Sequence, residues 1–505
     1  MNSGNRQIFG GTTISYFLIA VNALYGLIAT PFIISQIGDV SFGIYKTITA
    51  FASALMVVDL GLGSTVQRYI ANYRANDKIS SIGNFVSMSL IEAAILSILA
   101  LLVIAGIYFN IDNIFSEGMT SDELQMSKKL FCVLGITIIF HVFENVMSGV
   151  LMGFGEFIAS NGLRLLRVII RIVGTFVFLY IWKSPMTLVV IDCVLVIGLL
   201  LFEIIYCNKK IQLKISYEYF DSVIFKESVV YSLLMLITSL ANQVNGNLDN
   251  VVIGAVMSPN DVAVYSIALI VFGMFAQIAC SISGLLLPQV SFLLKKGVHN
   301  LQGYIVQIGR IQFILIGSIF GGFIVLGKEF LMVWLGPNYL PAYYISIILM
   351  GPAILELCVN VCLTMLRALN KLKFKTIVTV AMMIFNAVLT VVGVKYFGYY
   401  MAAVATALSY LIGSVVIMNL YYRKEFGYNM FSVYQGIFSR TWICIVVSSI
   451  VTYIFVNFFS DNWIRLIVGM ALYSSLIILS MSLYGLTKVE KNKVLSLFKN
   501  REISD

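Results

Sequence analysis

Three arginines recur along one apolar stretch of this 505-residue sequence, at Arg164, Arg167 and Arg171. A helix turns about 100° per residue, so the three side chains fall within about 60° of one another and share a face. A guanidinium presents a planar fork of donors that matches phosphate oxygens. The row therefore predicts a binding track for an anionic group such as a pyrophosphate. The competing interpretation is that these long side chains only reach back toward water, which suits Arg164 and Arg167 better than the deeper Arg171.

Other charged residues inside apolar stretches extend this set. Lys46 and Arg310 are candidates for the same anionic ligand, with anchoring at an interface as the alternative for both. Asp249 lies in the polar insert 245–250, which indicates a water-facing surface that binds substrate. The alternative for Asp249 is a hydrogen bond that holds packed helices together.

Groups that could carry protons or metals are few. His141 and Glu144 lie one helical turn apart, and this spacing predicts an ion-coupling pair. The alternative is a structural hydrogen bond, or a role for Glu144 as counter-ion of the arginines. The seven cysteines fall in or beside apolar runs without a Cys-x-x-Cys pair, so we expect neither a metal site nor a structural disulfide.

The composition says what kind of element must position these residues. Hydrophobic residues make up 60% of the chain and charged residues only 11%, whereas soluble domains have about 45–50% and about 25%. This excludes a soluble enzyme, a secreted disulfide scaffold and a disordered chain, and leaves an integral membrane protein. The net charge of +9 is explained by basic loops beside membrane spans rather than by nucleic-acid binding.

The apolar stretches predict an all-α polytopic fold. A bilayer core needs roughly 20 apolar residues in a helix. Strands of a β-barrel alternate instead of running apolar for that length. The first stretch is too long for a cleaved signal peptide, so we expect a permanent span. Fourteen stretches qualify: 12–34, 41–63, 84–108, 130–152, 160–182, 186–207, 229–256, 261–293, 303–326, 343–366, 376–394, 399–421, 440–459 and 464–486.

The basic residues predict the orientation of these spans. With both termini inside, 22 basic residues fall on the cytoplasmic side and 6 on the opposite side. Basic residues concentrate in cytoplasmic loops. We therefore expect a multi-pass protein of the bacterial cytoplasmic (inner) membrane with cytoplasmic N- and C-termini.

The two halves of the chain resemble each other. An offset of about 220 residues places 37–45 over 257–265, and the predicted spans coincide throughout. Parallel repeats of this kind relate by a pseudo-two-fold axis along the membrane normal and suit alternating access, although the repeat could also serve only as a scaffold. The predicted organisation is an N-terminal six-helix lobe, a cytoplasmic linker, a C-terminal six-helix lobe, and two additional helices with a tail, at 1–207, 208–228, 229–421 and 422–505.

Several short motifs resemble those of bacterial polysaccharide transporters. They are 58–63 (VDLGLG) followed by 68–71 (RYIA), 248–254 (LDNVVIG) followed by 264–265 (VY), 287–289 (LPQ) and 334–339 (WLGPNY). The resemblance covers most of the chain and includes the number of spans. It implies the polysaccharide exporter and O-antigen flippase family, within a superfamily that also contains multidrug-extrusion transporters and lipid II flippases. Lipid II flippases carry a basic residue on the first span, where this chain offers Asn22 as the polar group.

The resemblance implies a flippase that moves an undecaprenyl-pyrophosphate-linked oligosaccharide, an O-antigen or capsule-type repeat unit, from the inner to the outer leaflet. Its expected partners are that polyprenyl-linked glycan, membrane lipids and H⁺ or Na⁺. We expect a monomer that needs no cofactor and binds no nucleic acid. An ion-coupled drug or cation antiporter is the first alternative, although it would favour acidic and aromatic cavity walls. A membrane polymerase or ligase is the second, but the external loops are short and the chain has only two histidines.

Overall fold

The computed structural model describes residues 3–55, 61–213, 225–226, 229, 246–295, 301–369, 371–487 and 490–491. Within helices, it leaves undescribed the side chains of 280–295 and of several residues before position 20. The first part of the motif at 58–63, the side chains of the motif at 287–289, most of the predicted linker 208–228, and the first part of the seventh predicted span lie outside what is described.

All described secondary structure is helical, which confirms the predicted all-α class. The helices are α1 Ser3–Leu55, α2 Leu62–Ala75, α3 Ser80–Phe115, α4 Ser121–Gly153, α5 Phe157–Ile181, α6 Pro185–Tyr206, α7 246–256, α8 Pro259–Lys295, α9 Gln302–Trp334, α10 Pro341–Cys358, α11 Asn360–Ala368, α12 Lys373–Phe397, α13 Tyr400–Ser409, α14 Met418–Phe426, α15 Met430–Phe438, α16 Thr441–Val456 and α17 Asn462–Ser480. Short π-helical turns extend α6 and α17 and join α13 to α14, at Cys207–Ile211, Met481–Gly485 and Tyr410–Ile417.

Ten of the described helices are long and apolar enough to cross a membrane, or eleven if the bent pair α15–α16 is one span. The exact number of fourteen stays a prediction. Three features lower the number found by length and composition, and the first is that the seventh predicted span, 229–256, is described only in part. Gly38 adopts a non-helical backbone (φ 80°) inside α1, which covers the first two predicted spans. The three arginines of α5 make it more charged than an ordinary span.

The chain forms two compact units, Met1–Ser266 with Ala387–Ala402, and Ile267–Asn386 with Ala403–Asp505. In the first unit, α4 packs against α2, α3 and α6, while α5 packs along α1. Small residues allow the close approach of α2 and α4, because a Cβ at Gly149 would lie 2.4 Å from the carbonyl oxygen of Gly63. The apolar core of α2, α3, α4 and α6 includes Leu62, Val146 and Val150.

The second unit has its own core, where α9 packs against α10, α15, α16 and α17. Ile305 and Val433 are among its fully buried side chains. The chain bends by 45° between α15 and α16, at Arg440, whose φ of 59° is uncommon for a residue with a side chain.

Candidate functional site

Helix α5 is amphipathic, and its two faces show where the arginines lie. Leu166, Ile170, Val173 and Val177 are exposed apolar side chains. They recur at helical spacing and centre about a third of a turn away from the arginine row. In a membrane helix, exposed apolar residues mark the lipid-facing side. The arginine row lies on the more buried side of α5, which packs toward α1, α4 and α6, although the side chain of Arg164 is itself exposed.

Arg171 makes a bidentate ion pair with Asp192 of α6. Its Nε and Nη2 atoms lie 2.8 Å from the two carboxylate oxygens. The guanidinium also lies 5.7 Å from the ring centroid of Tyr25 on α1, and the Tyr25 hydroxyl is hydrogen-bonded to Thr175, at 3.0 Å. We call these four residues the Arg171 cluster. The sequence contained a signal for the pair, since the span that follows the arginine row carries an acid, Asp192, at its outer half.

Lys46 lies beside the Arg171 cluster, on the second part of α1. Its ammonium is 5.3 Å from the ring centroid of Phe42 and 5.8 Å from that of Tyr45. It lies within electrostatic range of Arg171. The structure thus brings Lys46 and Arg171 together as two half-buried cations, one paired with a carboxylate and one packed on aromatic rings.

A second group of charged residues lies around Arg164, about 10 Å from Arg171 toward the N-terminal end of α5. The Nη2 atom of Arg164 donates to the hydroxyl of Ser148 on α4, at 3.1 Å. Arg164 and Arg167 both lie within electrostatic range of the Glu203 carboxyl on α6, and so does Glu144 on α4. We call Glu144, Glu203, Arg164 and Arg167 the Glu203 cluster.

The structure places the predicted ion-coupling pair in contact with this cluster. The Nε2 atom of His141 is 3.7 Å from Glu144 Oε2, and its Nδ1 is 3.4 Å from the amide nitrogen of Asn145. Glu144 is only 4% exposed and Glu203 only 1%. Sequence analysis did not assign a role to Glu203. A second intramembrane acid near the inner end of the next span was the available signal.

Two predicted binding residues make local or fully buried hydrogen bonds. The side-chain amide of Asn22 donates to the Leu18 carbonyl of its own helix, at 3.0 Å. Asp249 is 2% exposed. It accepts hydrogen bonds from Tyr265, at 2.5 Å, and from Thr390, at 3.2 Å. These contacts match the helix-packing alternative for Asp249.

Arg310 lies in the second unit, within a network of its own. Its Nε donates to Glu490, at 2.8 Å, and its Nη atoms donate to the backbone carbonyls of Gly436, Ser439 and Gly485, at 2.9 to 3.1 Å. The side chain of Arg310 is 7% exposed. Every nitrogen of the guanidinium therefore already has an acceptor within the protein, and we leave Arg310 out of the candidate site.

Comparisons with known proteins bear on what this site does. A family model described as polysaccharide biosynthesis protein matches residues 9–293. The uncharacterized membrane protein EpsK of Bacillus subtilis is 22% identical over 93% of this chain and 94% of its own length. A Shigella flexneri protein described as an O-antigen transporter is 22% identical over 83% of this chain and 97% of its own length.

The fold has a counterpart among solved structures. The lipid II flippase MurJ, in an inward closed conformation, superposes with a TM-score of 0.74 at 16% sequence identity. The match covers 94% of this chain and 98% of MurJ. The helices that hold the arginine row are therefore arranged as in the fold of MurJ.

Proposed function

The chain belongs to the polysaccharide biosynthesis protein family of membrane transporters, and on that premise we propose that it flips an undecaprenyl-pyrophosphate-linked oligosaccharide from the inner to the outer leaflet. The family resemblance found in the sequence motifs is confirmed, and the chain is a multi-pass membrane transporter rather than an enzyme. The cargo, an O-antigen or capsule-type repeat unit, and its direction are the parts we propose.

One observation supports the cargo above all others: the arginine row lies on the more buried side of α5, which packs toward α1, α4 and α6. We propose that Arg164, Arg167 and Arg171, together with Lys46, bind the pyrophosphate. Arginine forks bind phosphate oxygens with two parallel hydrogen bonds. Asp192, which now pairs with Arg171, would hold that guanidinium in place until a phosphate replaces the carboxylate. Asn22, one turn from Tyr25 on α1, would bind the sugars, while the polyprenyl tail stays in lipid.

We further propose the architecture in which this happens. Fourteen spans, with both termini in the cytoplasm of a bacterial inner-membrane protein, would form two six-helix lobes at 1–207 and 229–421. The segment 208–228 would link them, and 422–505 would add two helices and a tail. Rocking of the two lobes would expose the head group alternately to each side, as in other transporters built from repeats. An ion gradient would drive transport by the monomeric protein, with the coupling ion bound at the pair Glu144–His141.

Reconstituted vesicles test the cargo and the site together. We expect the triple substitution of Arg164, Arg167 and Arg171 with glutamine to lower the flipping rate of a fluorescent undecaprenyl-pyrophosphate-linked glycan by about 100-fold or more. Each hydrogen bond to a charged group contributes about 1.5–3 kcal/mol, and each 1.4 kcal/mol is about tenfold.

The matched control removes three positive charges elsewhere, by replacing Lys128, Lys129 and Lys183 with glutamine. Lys183 follows the end of α5 and Lys128 lies two turns into α4, where it pairs with the exposed Asp112 and lies over the Tyr108 ring. This control should flip at the wild-type rate. Normal flipping by the arginine variant would refute the assigned site, and absence of flipping by the wild-type protein would refute the cargo.

A further inference from the structure

A shallow groove lies on the surface of the second unit, where α15 meets α16. Its volume is about 490 Å³. We call it the α15 groove, and six residues line it, four of them aromatic: Phe431, Tyr434, Gln435, Phe438, Ser439 and Trp442. Phe431 is 71% exposed and Trp442 is 52% exposed. Two large aromatic side chains are therefore open to a ligand along this groove.

The floor of the α15 groove is held in place by the protein beneath it. The Tyr434 hydroxyl donates to the Leu355 carbonyl and accepts from the Asn419 amide, both at 3.0 Å. The Phe438 ring stacks on Tyr434 and packs edge-on against Phe313, with the Phe438 and Phe313 centroids 4.5 Å apart. The aromatic floor is therefore preformed, which lowers the entropic cost of binding a ligand there.

The ends of two apolar helices place the groove at a membrane interface. Helix α16 begins at Thr441, and the π-helical turn after α17 ends at Gly485. Trp442 and Tyr484 are exposed at these ends, and both residue types are enriched where lipid head groups meet the hydrocarbon. The distribution of basic residues predicts that this side is cytoplasmic. We therefore place the groove at the depth of the head groups of the inner leaflet.

One end of the groove is polar and basic. Gln435 and Ser439 provide an amide and a hydroxyl group, and the exposed Arg440 follows Ser439 directly. The Arg440 guanidinium lies 5.6 Å from the ring centroid of Tyr484. Its backbone φ of 59° belongs to a region where residues with side chains concentrate at functional sites. Because a guanidinium pairs with phosphate oxygens, the groove is complementary to a molecule with an anionic phosphate and an apolar chain.

The bend that forms the groove is fixed from inside the second unit by Arg310. The guanidinium donates to the carbonyls of Gly436 and Ser439, at 3.1 and 2.9 Å. These carbonyls lie on either side of Phe438 in the chain, at the end of α15. Arg310 therefore positions the polar end of the groove.

We propose that the α15 groove binds an anionic phospholipid of the inner leaflet. Its phosphate lies at Gln435, Ser439 and Arg440. One of its acyl chains lies along Phe438 and Trp442. A zwitterionic lipid offers the same chains, but its head group brings a positive charge beside Arg440, so the preference for an anionic lipid depends on that arginine. The site is in the second unit, whereas the arginine row is in the first, and it does not rest on the proposed cargo.

Quenching of Trp442 fluorescence by brominated lipids measures which lipid occupies the groove. The full-length protein is reconstituted into phosphatidylcholine vesicles that contain brominated phosphatidylglycerol or brominated phosphatidylcholine at equal mole fractions. The difference between the wild type and Trp442→Phe separates the signal of Trp442 from that of the other three tryptophans. We expect phosphatidylglycerol to bind about fivefold more tightly, the preference that one basic residue near a membrane surface provides.

Three variants test whether this preference comes from the groove. Arg440→Gln should abolish it. Arg440→Lys should keep it, because the charge remains, and this variant controls for any substitution at a backbone of positive φ. Lys209→Gln is the matched control, since it removes one positive charge from an exposed lysine of the first unit, and it should leave the preference unchanged.

Equal quenching by the two lipids in the wild type would overturn the proposal, because it would show an ordinary lipid contact. Quenching by neither lipid would overturn it as well, and would indicate that protein, such as a second copy of this chain, covers the groove. A preference that survives Arg440→Gln, or that Lys209→Gln removes, would refute the assigned site. The comparison of the two lipids in the wild type stands even if a variant fails to fold. Flipping is not measured in any of these experiments, so their failure leaves the proposed function standing.

Discussion

Replacing Arg310 with glutamine should lower the thermal stability of the protein without changing ligand binding by the folded fraction. The sequence suggested that this cation binds the anionic cargo, whereas the structure surrounds it with acceptors. Its guanidinium makes two contacts with the Glu490 carboxylate, at 2.8 and 3.4 Å, and three with backbone carbonyls. Gly436 lies in the last turn of α15, Ser439 follows α15, and Gly485 ends the π-helical turn after α17. One side chain therefore joins α9, the end of α15 and the segment after α17 within the second unit.

The magnitude follows from what the substitution leaves behind. Removing one partner of a buried ion pair costs about 3–5 kcal/mol, because the other charge stays uncompensated. The three carbonyls belong to chain segments at helix ends, where water can replace part of the lost bonding, so we keep the total within that range. For a cooperative unit of about 150–250 residues, each kcal/mol shifts Tm by about 2–4 °C. The expected drop in Tm is therefore roughly 10 °C.

Thermal unfolding of the purified protein measures this drop, and two variants bracket it. Arg310→Lys keeps the charge beside Glu490 but lacks the fork, so it should recover part of the loss. Arg465→Gln is the matched control, because Arg465 is half-buried and lies 3.7 Å from Glu329. Arg465 also donates to the Phe459 carbonyl, at 2.6 Å, so it has two partners where Arg310 has four, and Arg465→Gln should lower Tm by less than Arg310→Gln.

The pH dependence gives an independent check. Burial acts to raise the pKa of Glu490, but hydrogen bonds from Arg310 and Thr487 outweigh it and lower the pKa below the usual value. The stabilisation by Glu490 is therefore complete above the usual glutamate pKa and is lost as the pH falls through the lower, folded value. The Tm difference between wild type and Arg310→Gln should shrink over that acidic range. An unchanged Tm together with a loss of flipping would refute the structural role and return Arg310 to the binding site.

Two further predictions concern the first unit. Asp192→Asn should lower the free energy of unfolding by about 1–3 kcal/mol, since the pair with Arg171 is partly exposed. Adding Arg171→Gln should restore most of that stability and should weaken the binding of farnesyl pyrophosphate, a short lipid pyrophosphate, by about tenfold or more. Wild-type binding by the double variant would contradict the assignment of Arg171. Gly149→Ala should lower the free energy of unfolding by about 1–3 kcal/mol, because the added Cβ forces α4 away from α2. Gly162→Ala is the control, because a Cβ there meets open space, and it should be neutral or stabilising. Equal melting temperatures for the two variants would contradict the close packing of α2 and α4.

The sequence was sufficient where the information is local. Runs of apolar residues predicted the membrane helices, because spanning a bilayer constrains each segment separately. The helical face shared by Arg164, Arg167 and Arg171 was also readable from spacing alone, and the separate exposed apolar face of α5 agrees with it.

Partners from distant segments could not be read from spacing. Arg310 looked like a free cation because its acceptors lie 126 to 180 positions further along the chain. Glu203 received no role from the sequence, because the residues around it come from helices α4 and α5. Asp249 was interpreted as water-facing because polar inserts often are, whereas its hydrogen bonds to Tyr265 and Thr390 satisfy it inside the protein.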